Sequence, residues 1–442
     1  MPHRSSRRTF LKHVTFAGLT MPFVAPSLVR AASPNGMVRH ATIGGQGMAW
    51  SDINSLDSHE HIKFIAACDV DVNRLGAAKE KFSGLRTYAD YRELLEKEDK
   101  NIDSLNVTTP DHMHAPIALA AIRQGKHVYV QKPLAHTVQE ARALATAAAK
   151  HNVISQMGIQ IHSRMEYRLA AEFIQAGAIG KVKRVHTWSH KNWGGGERPS
   201  NTDPVPDNLN WDLWLGVAPE RPFANGRYHP GEWRRWQDFG TGTFGDMGCH
   251  IYDPVYNCLQ LTAPVRVRSE GAEPFAETWP TSAIVHYTYP GTEQTAGDTI
   301  DVTWYDGGEM PPADALEGLG DQRPPAQGSL FIGEKGSMLL PHIGAPQLLP
   351  RELARTIERP QLPPANHYHQ FIDAVRGEGE ASASFEYSGP LTEAILLGNV
   401  ASRFRGQSLE WDAENLTVTN LEEANQYITK TYRKGWEIEG LG

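Results

Sequence analysis

The sequence predicts an α/β protein built around a parallel sheet. Three observations carry that reading. Apolar strand-like runs alternate with helix-like segments from about residue 38 to residue 158. A glycine-rich turn follows the first run, and an acid closes the second. Strand–helix–strand alternation of this kind implies parallel strands joined by right-handed crossovers. The chain has 442 residues, enough for two domains with a core each.

Residues 1–34 read as a leader. Arg7 and Arg8 precede Phe10, Leu11 and Lys12, an apolar stretch runs from Val14 to Val29, and Ala31 and Ala32 supply small residues for cleavage. This is the pattern of a twin-arginine export signal, so a periplasmic or otherwise exported protein is expected. Gly18, Pro22 and Pro26 interrupt the stretch, and no later run reaches about 18 apolar residues, so no membrane span is expected. A formal net charge of −8 disfavours nucleic-acid binding. Three cysteines, Cys68, Cys249 and Cys258, make no disulfide framework, and no Cys-x-x-Cys occurs; no metal site is predicted.

The first run, MVRHATIGGQGMAW, turns on glycines. Thr42 stands where the first glycine of G-x-G-x-x-G belongs, and Gly44 and Gly47 follow in register. The N–H groups of Gln46, Gly47 and Met48 would then face phosphates at a helix N-terminus. The second run, IKFIAACD, ends in Asp69, 22 positions beyond Gly47. That spacing suits a carboxylate gripping a ribose 2′-hydroxyl, and its charge favours NAD over NADP. Asp69 could instead cap the next helix, a role for which Asp71 competes.

A strand follows near 103–107, then a loop through Pro110 and a helix near 115–124. A strand at 127–130 stops at Gln131-Lys132-Pro133, a helix covers 138–150, and a last strand covers 153–158. Thr108, Pro110, His114 and Lys132 therefore fall at carboxyl ends of strands, where such sheets bind ligands. Gln160 and Arg164 follow the last strand and are placed at the cofactor and the substrate respectively. The domains are drawn at 35–158 and 159–442.

The order of T-x-G-x-x-G, the acid-ended second strand, TTPDHMH, QKPLA and GTFGDMGCHIYDP resembles the glucose–fructose oxidoreductase / inositol dehydrogenase / MocA-type (Gfo/Idh/MocA) family. The likeness runs through nearly the whole mature chain. It implies a nicotinamide-binding Rossmann domain followed by an α/β domain with a large, mostly antiparallel sheet. One face of that sheet would carry the substrate pocket, the other a homodimer or homotetramer contact. The family pattern is Glu-Lys-Pro, then Asp-x-x-x-His. Here Lys132, Asp246 and His250 match its lysine, aspartate and histidine, while Gln131 replaces its glutamate and Thr42 its first glycine.

Those three groups can move a hydride between an alcohol carbon and nicotinamide. His250 accepts the alcohol proton, Lys132 stabilises the oxyanion, and Asp246 orients a substrate hydroxyl or tunes the imidazole. Spacing of four puts Asp246 and His250 on one helical face. His112 and His114 read as loop residues near the nicotinamide rather than metal ligands, and Cys249 as a small buried side chain.

Six of eleven tryptophans, Trp188, Trp193, Trp211, Trp214, Trp233 and Trp236, crowd into one stretch with Arg198, Asn208, His229, Arg234 and Arg235. Apolar ring faces with polar forks suit a sugar or glycoside. Two or three of the six are expected to face ligand, with Trp193, His229 and Trp233 assigned to the substrate. His367 and His369 are further candidates for the pocket wall.

Free NAD is scarce outside the cytoplasm, so an export signal argues for a cofactor held tightly and regenerated in place. The leading expectation is an oxidoreductase acting on a sugar ring hydroxyl, with ring carbon 3 as the candidate position. A redox-neutral glycosidase or epimerase working through a keto-sugar, and a cofactor-stabilised sugar-binding protein, remain as alternatives.

Overall fold

The computed structural model describes residues 36–200, 202–319 and 322–441. The predicted leader lies outside them. Six strands form the first sheet: β1 (Val38–Ile43), β2 (Ile62–Cys68), β3 (Arg86–Tyr88), β4 (Ser104–Val107), β5 (His127–Gln131) and β6 (Ser155–Gly158). All pairs are parallel, in the order β3-β2-β1-β4-β5-β6. The order reverses between β1 and β4, which opens a crevice beyond their carboxyl ends. β4 is buried at every position, as a strand covered on both faces requires.

The helices His114–Arg123 and Val138–His151 cover one face. The second starts with a capping box: Thr137 Oγ1 accepts from Glu140 N at 3.2 Å, and Glu140 accepts from Thr137 N at 3.0 Å. It ends on Asn152 at φ 50°, a left-handed stop. The other face is covered by α1 (Met48–Asp57) and by a helix from far down the chain, His367–Arg376. Tyr368, Phe371, Ile372 and Val375 pack with Val38, Ile53, Leu56 and Phe64 in one apolar cluster. A boundary at residue 158 therefore misses part of the first domain.

The second sheet has nine strands: β7 (Val182–Ser189), β8 (Arg266–Gly271), β9 (Ala283–Pro290), β10 (Thr299–Tyr305), β11 (Gln327–Gly333), β12 (Ser337–Pro341), β13 (Gln347–Leu349), β14 (Ser408–Asp412) and β15 (Thr417–Val418). Their order is β13-β12-β11-β7-β10-β9-β8-β14-β15. Among the described strands of this sheet, β7 and β10 alone pair in parallel. Burial alternates along β9, so one face is core and the other partly open. The helix Phe385–Ser402 is buried nearly all round and lies between this sheet and Val138–His151.

Candidate active site

A cleft of about 350 Å³ lies beyond the carboxyl ends of β1, β2, β4 and β5. The Gly44–Gly47 turn forms one wall. Gly44 has φ 107°, and a Cβ there would meet Thr108 O at 2.4 Å, so no larger residue fits. Thr42 stays inside β1, where its hydroxyl donates to Gly44 O at 3.0 Å and braces the turn. Gly47, at φ 63°, begins α1 without a capping side chain or a first-turn acid. The first N–H groups of α1 are thus left for an anion. Asp69 stands on the same wall, with Oδ2 accepting from Gly45 N at 2.9 Å and Oδ1 from Asp71 N at 3.0 Å. Burial pushes its carboxyl up to about 6. Thr108, Pro110 and Gln160 line the cleft as well. Gln160 Oε1 is buried without a partner, an open acceptor for a ligand N–H such as a carboxamide supplies. Uncapped helix, acid and orphan acceptor together fit a nicotinamide dinucleotide.

At the other end lies an ion cluster. Lys132 Nζ donates to Asp246 Oδ1 at 2.7 Å and to Asp246 O at 3.0 Å. Trp193 Nε1 donates to Oδ2 at 2.9 Å, and Arg234 Nε lies 3.4 Å from Oδ1. The Arg234 guanidinium is seated 4.3 Å over the Trp233 ring. Burial alone would raise the Asp246 carboxyl, but Lys132 and Arg234 hold it well below the usual carboxylate range. Asp246 therefore anchors the ammonium rather than standing free for a hydroxyl.

Asp246 sits in a π-helical turn, Phe244–Gly248, that runs into the short helix Cys249–Ile251. From Phe239 to Tyr256 every residue is buried except Asp246 and His250, the two that open to the cleft. Cys249 is buried, as a small apolar side chain should be. His250 Nδ1 is buried without a partner, which leaves Nε2 to meet a substrate. Burial first, then the charge of Lys132, pushes this imidazole well below its usual value. It stays neutral. His342 packs beside it, with ring centroids 5.7 Å apart.

The remaining predicted residues divide. His229 and Trp233 line the cleft, and Trp193 touches it through Asp246. Trp214 lines it too, while Trp188 and Trp236 are plain core. His114 is a correction: its Nδ1 faces Pro133 O at 2.7 Å and its Nε2 Thr109 O at 2.9 Å, so it braces two loops and does not line the cleft. His112 is buried against Trp214 and Phe239. Arg164 is exposed ahead of the helix Met165–Gln175, outside the cleft lining. His367 and His369 belong to the helix behind the first sheet, not to a pocket wall, because that helix packs on α1.

Sequence reading missed several groups. Arg74 lines the cleft, with Nε 3.6 Å from Asp69 Oδ2. Asp71 clasps the second domain: Oδ1 accepts from Asn208 Nδ2 at 2.6 Å, Oδ2 lies 3.1 Å from His229 Nε2, and Val72 N donates to Asn208 O at 3.0 Å. Trp436 lines the cleft as well, with the Arg92 guanidinium 4.3 Å over its ring. Only the interleaving of Asn208 and His229 with the tryptophans hinted at this wall.

Comparison with known proteins bears on the same two halves. Residues 38–159 match the family model described as oxidoreductase family, NAD-binding Rossmann fold, and residues 174–301 match the C-terminal alpha/beta domain of that family. The chain is 26% identical over 176 residues to levoglucosan dehydrogenase of Pseudarthrobacter phenanthrenivorans, covering 40% of this chain and 37% of that one. It is 30% identical over 154 residues to inositol 2-dehydrogenase of Salmonella typhimurium, covering 34% and 45%. The matched stretch thus spans less than half the length of these relatives. In structure it is similar to the WlbA dehydrogenase from Bordetella pertussis in complex with NADH and UDP-GlcNAcA, with TM-score 0.60 and 16% identity over 85% of this chain and 98% of that chain. The aldose-aldose oxidoreductase from Caulobacter crescentus complexed with glycerol superposes with TM-score 0.54 and 17% identity over 85% and 100%. At such identities the likeness carries the fold alone.

Proposed function

Because the chain belongs to the Gfo/Idh/MocA oxidoreductase family, we propose that it is an NAD-dependent oxidoreductase acting on a ring hydroxyl, such as that at carbon 3, of a sugar or glycoside. The observation that carries the reading is the meeting of Lys132, Asp246 and His250 on one cleft with the Gly44–Gly47 turn. NAD bound there supplies the hydride acceptor. Lys132, held by Asp246, donates a hydrogen bond to the substrate oxygen and stabilises its growing negative charge. Neutral His250 takes the hydroxyl proton on Nε2, and Asp246 offsets the imidazolium charge that results. Trp233 and Trp214 line the cleft with apolar surface suited to the C–H patches of a carbohydrate, and Arg234, seated over the Trp233 ring, offers a polar fork.

The clasp of Asp71 with Asn208 and His229, which ties the two domains across the cleft, supports a cofactor retained through turnover. Retention suits the twin-arginine leader, and we place the protein outside the cytoplasm. The half-open face of the second sheet supports a homodimer or homotetramer. Incubating purified protein with a glycoside panel, without added cofactor, tests the whole reading. Absorbance of reduced nicotinamide on one or more glycosides is the expected result. Release of an aglycone without net reduction would move the assignment to redox-neutral cleavage through a keto-sugar. Saturable binding with neither would leave a sugar-binding protein.

A further inference from the structure

We propose that Asp52 is a positioning residue for Lys132, and that Asp52 and Gln131 together replace the glutamate that the family pattern sets before its lysine. The proposal rests on the reading above only for what Lys132 does. Asp52 lies in the second turn of α1, the helix that begins at the glycine turn, and is fully buried. Gln131 Nε2 lies 3.1 Å from both of its carboxylate oxygens. Thr108 Oγ1 donates to Oδ2 at 2.8 Å, and Tyr368 Oη to Oδ1 at 3.1 Å. Among the described residues no lysine, arginine or histidine pairs with it. Its partners are neutral donors from three separate parts of the fold, an arrangement suited to an acceptor-only carboxylate.

Gln131 passes this on. Its Oε1 accepts from Lys132 N at 3.1 Å while its Nε2 faces Asp52. An amide can donate to one neighbour and accept from the other, which an ionised carboxylate cannot. Gly158 makes room for it, since a Cβ there would meet Gln131 Cδ and Nε2 at 2.8 Å. The helix that begins at the glycine turn is thereby tied to the main chain of Lys132, whose ammonium reaches Asp246. The negative charge is kept, moved from the strand end to the helix.

The two identities are then coupled. A glutamate at position 131 alone would set two carboxylates face to face, and one would have to take up a proton. An asparagine at position 52 alone would remove the charge and turn an N–H toward another donor. Exchanging both restores one carboxylate and one amide. The amide on the helix then donates to the carboxylate at the strand end, whose other oxygen accepts from Lys132 N.

The test compares wild type, Asp52→Asn, Gln131→Glu and the double exchange. It reads NADH binding by fluorescence, thermal melting, and kcat and KM on the best substrate of the glycoside panel. Each single change is expected to lower kcat about tenfold or more with substrate KM little moved, and the exchange to return to within about threefold of wild type. Single variants that match wild type, or an exchange no better than the product of the single effects, would overturn the proposal. If the single variants do not fold, the expected result is an exchange variant that folds and binds NADH, and its failure to fold is equally decisive against. Should wild type transfer no hydride at all, the activity reading fails by itself. NADH binding and melting then decide the coupling, with recovery in the exchange expected and additive losses refuting it.

Discussion

The two ends of the cleft are made of different material. Around Asp69 the surface is main chain: two glycines at positive φ, the uncapped N–H groups of α1, and a carboxylate that already accepts two backbone amides. Around Lys132 it is side chain, with Lys132, Trp193 and Arg234 sharing the one carboxylate of Asp246. The two acids show the contrast. Asp69, with backbone partners and Arg74 at 3.6 Å, is pushed up to about 6 by burial. Asp246, equally withdrawn from water, is held down by Lys132 and Arg234. A wall of backbone tolerates change beside it, as Thr42 inside β1 shows, but not at Gly44 itself. A cluster of side chains fails with the loss of one group.

That difference predicts a graded set of outcomes. Lys132→Met should lower kcat about a thousandfold or more while NADH still binds, because the proposed oxyanion stabiliser is lost but the glycine turn is untouched. Loss of NADH with kcat preserved would reverse the contrast. His250→Ala should cost about a hundredfold or more in turnover, again with cofactor retained; near-wild-type rates would refute its proton-transfer role. At the other end Gly47→Val, forced to a φ of 63°, should weaken NADH about tenfold and leave the rate on bound cofactor unchanged. Titration calorimetry set beside single-turnover rates separates the two effects.

Acidity sharpens the contrast further. Asp69 has a native value above its unfolded one, so its ionisation costs stability at pH above about 6, and that cost disappears as pH falls below about 4. A grip on ribose hydroxyls that needs the ionised form should therefore weaken several-fold as pH falls through about 6, and Asp69→Asn should flatten that dependence. At saturating cofactor, kcat/KM should show no break at the ordinary imidazole value, because His250 is neutral there already. The smallest effect is expected of Trp193→Phe, which removes one donor from Asp246 and should cost kcat about threefold to tenfold.

Much of this site could be read from short motifs. The strand ends at Ile43, Cys68, Val107 and Gln131 fell where apolar runs met glycine, acid or proline, since a parallel sheet must place its turns there. Lys132, Asp246 and His250 were visible as local patterns. The hold of Trp193 and Arg234 on Asp246 was not, because such pairings are made by the folded chain across 53 and 12 residues, with no periodic pattern. His114 shows the opposite failure. It opens the helix that follows the β4 loop, and spacing cannot tell the cleft side of a loop from its inner side. The clasp from Asp71 to Asn208 and His229 joins residues more than a hundred positions apart and leaves no periodic trace.

The helix His367–Arg376 carries a consequence for how the protein is made. It supplies Tyr368, Phe371, Ile372 and Val375 to the sheet that residues 38–158 begin. A ribosome that has delivered only those first strands has produced a sheet whose α1 face lacks the apolar cover this helix supplies. The dinucleotide half gains this packing only after residue 376 has emerged, so a fragment ending near residue 160 should clump rather than bind cofactor.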